Sequence, residues 1–384
     1  MLQILRQSNA DLLREIDKLG EVLTHAAEAL PPELDTYYLS VVEGCDDFRQ
    51  QVKQNLRDLD LGQTSILPDV LSTTQEVTRW FQLFNRRLVS PVLRARPSDR
   101  LSLKVLCWLH SRHPQTRLIP AGLSDGEFGI WPAPPLPTVY FMHCSAQNGL
   151  LYLPLFFHEF GHLLYECHRA EMDDLVRSLQ ETIGLLLGPP VQRNDLHSKA
   201  EAERRNMIVE KWYLWAQELF CDAVGLAIGG PAFAHSFSFY LRLRGRSEYY
   251  IPPEHLVQRD HPVSWLRVHV LVDRSRQMGF DAEADLWEST WSAIAAAGDV
   301  REDYYGYYSP EFLRPVQEVI DHMLTEAAPC SYCDADPTEP EQAVHSPVPL
   351  LNQAWHMFFE DPRSYPVWEQ SAIATMFAPD TATS

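Results

Sequence analysis

Runs of lysine or arginine are missing from this chain, and acidic residues outnumber basic ones 52 to 32, for a formal charge of −20. A surface of that sign offers no basic patch to a nucleic-acid backbone or an anionic lipid headgroup, so neither partner is expected. No apolar stretch approaches the roughly 20 residues of a membrane helix. The opening MLQILRQSNADLLREIDKLG carries charges where a secretory signal would carry an apolar segment. The seven cysteines, spread from Cys45 to Cys333, are an odd set in a long chain, which fits reduced thiols better than a disulfide framework. Internal repeats are also missing, which excludes a solenoid. The expectation is a cytoplasmic protein with no membrane and no nucleic-acid partner.

What is present is enough apolar material for a sizeable core, 45% of 384 residues. Leu5, Leu12, Leu13, Ile16, Leu19 and Leu23 recur at helical spacing until Pro31 and Pro32 break the pattern. Further helical stretches are expected over 33–59 and 73–93; the helix before Pro31 and that over 33–59 form a hairpin that packs on the rest of the protein or pairs with a partner. EFGIW and TVYFMHC, on either side of PAPPLP, are the persuasive strands. After them the pattern is helical nearly to the end. The fold class expected is mostly α with a small β-sheet, an α+β protein. Three regions are expected: a helical 1–100, a core over 101–275 and a helical 276–384.

The chemistry concentrates in HEFGHLLYECH, residues 158 to 168. Residues four apart share a helix face, so His158 and His162 can offer imidazole nitrogens to one metal ion with Glu159 beside them. The third ligand is open at this point. His168 stands at the last place of H-E-x-x-H-x-x-G-x-x-H, the metzincin pattern, but Tyr165 replaces the glycine at which that chain turns back. If the helix continues through Tyr165, His168 points away. The rival is WAQELFCDAVG, where Glu218 and Asp222 are four apart, so that one can ligate while the other accepts a hydrogen bond from a ligating histidine.

The order HEFGH, ELFCDA and then HPVSWLR resembles the gluzincin zinc peptidases, and most nearly the soluble relatives of the CaaX prenyl protease-like members. The resemblance implies a zincin-like core binding one zinc ion per chain, with His158, His162 and Glu218 as ligands. It implies Glu159 as general base to a zinc-activated water and Asp222 bracing a ligating histidine. It also implies that His261, at the head of HPVSWLR, faces the cleft and stabilises the oxyanion, and that TVYFMHC lies along the cleft with an edge for an extended peptide. Tyr249, Tyr250, Tyr304 and Arg267 are lower-ranked candidates. The activity implied is hydrolysis of peptide bonds in an intracellular protein or peptide by an endopeptidase. The alternative is a non-catalytic binding module whose helical flanks recognise a partner protein. Cys330 and Cys333, a single C-x-x-C near His322 and His345, leave a second metal conceivable.

Overall fold

The structure, a computed structural model, describes residues 1–116, 120–132, 136–143, 146–188, 196–243, 260–298, 304–335 and 346–377. Helix α1 (Leu2–Ala26) follows its apolar period, burying Leu5, Leu12, Ile16, Leu19 and Leu23 along one face. After the Pro31–Pro32 break, α2 (Asp35–Asp60) returns against it, and α3 (Leu67–Arg87) packs on both, so the expected hairpin is part of a three-helix bundle. Asn9 lies in the apolar stripe of α1, where its amide donates to Thr74 Oγ1 at 2.9 Å and accepts from Asn55 at 3.1 Å. A satisfied polar group inside an apolar seam fixes which turns of the helices face one another. Helices α4 (Val89–Arg94) and α5 (Arg100–Ser111) follow.

Both α4 and α5 pack on β1 (Ala121–Asp125) of a small mixed sheet. Its other strands are β2 (Gly129–Trp131) and β3 (Thr138–Met142), in the order β1-β3-β2. β3 pairs parallel with β1, Ala121 opposite Thr138, and antiparallel with β2, Gly129 opposite Phe141. This corrects one expectation: the TVYFM strand is central, both its edges are already hydrogen-bonded, and it has none to offer a peptide.

The remaining helices are α6 (Leu155–Cys167), α7 (Arg169–Leu186), α8 (Leu196–Gly229), α9 (Pro231–Leu243), α10 (Ser264–Gln277), α11 (Asp281–Ala297), α12 (Pro310–Ala327), α13 (Val348–Glu360) and α14 (Tyr365–Met376). The 34 residues of α8 make it the axis on which α6, α7, α9, α10 and α12 pack. The chain divides into two compact units, Met1–Asn148 and Gly149–Ser384. The boundaries expected near 100 and 275 do not coincide with this division. The strands belong with α4 and α5, and the stretch around 275 is held by Arg274 of α10, which donates to Gln317 and Asp321 of α12 at 2.8 Å each. Among the described residues no helix is long and apolar enough to cross a membrane.

Candidate metal centre

Helix α6 carries LFFHEFGHLLYEC with most of its side chains buried, as its apolar composition requires. The segment leading into it is gripped from three helices. Leu150 N–H donates to the Glu369 carboxylate of α14 at 2.7 Å, while the Leu151 carbonyl accepts from Ser236 of α9 at 2.6 Å and from the Trp355 indole of α13 at 3.1 Å. Gly161, between the two histidines, sets how closely α6 approaches α8. A Cβ there would lie 2.7 Å from Cys221 Cα, backbone that cannot give way. Gly161→Ala should therefore push the two helices apart and cost about 1–3 kcal/mol, the usual effect of overpacking. A thermal melt coinciding with that of the wild type would show the contact to be soft.

That approach brings three donors together. His158 Nε2 lies 3.5 Å from Glu218 Oε2, His162 Nε2 lies 3.6 Å from Glu218 Oε1, and the three ligand atoms fall within 4.8 Å of one another. Ligands about 2.1 Å from a tetrahedral zinc are separated by roughly 3.4 Å, so the spacing suits one ion. Glu218 Oε2 is buried and has no hydrogen-bond partner. Three carboxylates, Glu159, Glu218 and Asp222, are buried around one permanent cation, Arg267. Buried carboxylates that outnumber the permanent cation make the pocket an environment that favours a further positive charge.

The groups behind the donors hold them in place. His158 Nδ1 donates to Asp222 Oδ1 at 2.8 Å, which turns Nε2 towards Glu218. Arg267 grips Asp222 as a fork, Nε to Oδ2 at 2.8 Å and Nη2 to Oδ1 at 2.7 Å, and its Nη2 is 3.4 Å from Glu218 Oε2. Burial opposes a proton on His158, but the bond to Asp222 and the nearby Glu218 carboxylate outweigh it and push the pKa up to about 10. Burial pushes His162 down to about 4. Burial also holds the Glu159 carboxyl above its usual range, with His158 pulling the other way.

The cluster opens to solvent on one side, where the His162 side chain is 26% exposed and that of His261 58%. His261 Nε2 stands 3.5 Å from Glu218 Oε1. Pro262 follows it and α10 begins at Ser264, so His261 ends a loop while Arg267, the fourth residue of the helix, reaches inward. His168 goes elsewhere. Helix α6 runs on past Tyr165, whose hydroxyl donates to Asp173 at 2.7 Å, and His168 caps its end with Nδ1 3.6 Å from Glu326.

Tyr304 is buried in a turn with its ring 6.1 Å from that of Tyr308. Tyr249 and Tyr250 lie outside the described residues. Among the described residues the His158, His162 and Glu218 group is the one assembly of potential metal ligands, so Cys330, Cys333 and His322 do not form a second, and His345 lies outside the described residues. Two neighbours of the site were not anticipated. Cys221 Sγ is 3.4 Å from His162 Nδ1, and the Phe237 ring lies 4.6 Å from the Arg267 guanidinium carbon. The place of Cys221 inside E-x-x-x-D was a usable signal, since three residues past Glu218 it shares that face of α8; nothing in the sequence marked Phe237. The chain matches no protein-family model, no curated protein and no solved structure, and the site stands on its geometry as a buried group able to hold a metal ion.

Proposed function

We propose that this protein is a zinc-dependent metallopeptidase of gluzincin type, an endopeptidase acting on a protein or peptide substrate. The observation that carries the reading is the convergence of His158, His162 and Glu218 with Glu159 buried beside them. Three protein ligands leave a fourth position open, the catalytic rather than the structural arrangement. A zinc ion held there supplies Lewis acidity, lowering the pKa of water and polarising a carbonyl.

The chain's own groups supply the rest. A carboxylate oxygen of Glu159 takes a proton from the attacking water and returns it to the leaving amine. The assignment rests on its burial beside the ligands. His261, on the open side, donates Nε2–H towards the oxyanion that develops on the attacked carbonyl. Asp222 and Arg267 keep His158 in the one tautomer that can ligate.

Elemental analysis of protein purified without chelators should find about one equivalent of zinc, as a three-ligand site requires. Incubation with a peptide library should give products. Zinc without products would favour the binding-module reading, and absence of zinc would remove the metal reading altogether. For His261→Phe we expect unchanged zinc content and KM with turnover lowered by about 10², because an oxyanion donor acts only as charge develops. A variant that melts early but turns over normally when folded would make His261 structural.

A further inference from the structure

Arg267 is 6% exposed, so its cation has lost nearly all the water that would solvate it. Its Nε and Nη2 bond Asp222, and Nη2 also approaches Glu218. Its guanidinium carbon lies over the Phe237 ring, 4.6 Å from the ring centroid. An aromatic face presents negative charge to a cation, whereas an aliphatic wall presents none, and the attraction is strongest where water is excluded. The same ring lies nearly parallel to His158, 6.1 Å away with the planes 23° apart.

Phe237 is itself held firmly. It is buried on α9 and stacks on Phe233 at 5.5 Å. Phe233 in turn fills a notch in α8 where a Cβ on Gly225 would lie 2.4 Å from its ring. The stack therefore connects the glycine notch of α8 with the underside of the ligand cluster.

We propose that Phe237 is a positioning residue of the metal centre: its π face holds the Arg267 guanidinium in the orientation that orders Asp222 and, through Asp222, His158. The inference rests on the metal reading above. With Leu in place of Phe237 the guanidinium keeps its charge and its fork but loses the surface that fixes its plane. The His158 ring is then held less strictly with Nε2 towards the other ligands.

The test compares Phe237→Leu with Phe237→Tyr, which preserves the aromatic face. Zinc affinity is measured by competition with a chelating dye, and the His158 Nδ1–H resonance is followed by NMR in the zinc-free protein. We expect affinity about tenfold weaker for Leu and within about twofold of wild type for Tyr, in line with the loss of one group that orients a ligand. The Nδ1–H signal should broaden in Leu and persist in Tyr. Equal losses in both variants would reduce Phe237 to packing and overturn the proposal. So would Leu binding as the wild type does with the resonance intact, even if it melts earlier. If Leu does not fold, Phe237→Met repeats the comparison with an unbranched apolar chain. A wild type that binds no zinc would defeat the metal reading, while the NMR comparison still reports whether Phe237 orders His158.

Discussion

Replacing Glu159 by Gln should leave zinc bound and slow cleavage by on the order of 10² to 10⁴, the usual contribution of a general base. The amide has the shape of the carboxylate and can occupy the same buried volume, so α6 keeps its packing. It cannot accept a proton from water at neutral pH. The three donors that would hold zinc are His158, His162 and Glu218, and none of them is altered. The substitution therefore separates chemistry from metal binding. Steady-state rates on a peptide identified from the library, beside elemental analysis of the same preparation, check it. Wild-type rates in Glu159→Gln would mean that another group moves the proton.

The second large effect is expected on zinc itself. Glu218→Ala removes one of three ligands, and with it a quarter to a third of the roughly 10 to 16 kcal/mol that zinc contributes in small structural sites, or about 10³ in affinity. The wild type should melt at a higher temperature with zinc than without it, because zinc binds the folded chain, and the variant should lose most of that difference. Dye competition and paired melts measure the two quantities. Zinc retained by Glu218→Ala and lost by His168→Ala would restore the metzincin arrangement.

Much of the candidate metal-binding group could be read from local spacing, because a helix converts a four-residue interval into one face. H-E-x-x-H and E-x-x-x-D each occupy a single helix, and both lie where their periodicity puts them. The displacement of His168 also follows from local information, since Tyr165 gives the helix no reason to stop. Phe237 could not be found in this way. It reaches Arg267 through a stack seated on Gly225, a contact between helices that no interval along the chain records. The small sheet is there as expected, but the free edge expected of TVYFM is not, for a related reason: the segment shows its strand character plainly, while which strands flank it depends on pairing with Ala121–Asp125 and Gly129–Trp131, on both sides at once. The division at 148 and 149 has the same origin, in packing between segments whose compositions look alike.

The grip on the start of α6 has a consequence in time. Glu369 lies 219 residues beyond Leu150, and Trp355 lies 204 beyond Leu151. A chain leaving the ribosome at roughly 5 to 20 residues per second presents Leu150 some 10 to 40 s before the carboxylate that will fix it. By the time Leu150 is made, the first unit has all of its residues, while the helix that carries the two histidines still awaits its outermost partners. During that interval Leu155–Cys167, buried on most sides in the folded chain, is an apolar stretch without its final cover, the kind of exposed surface on which nascent chains aggregate.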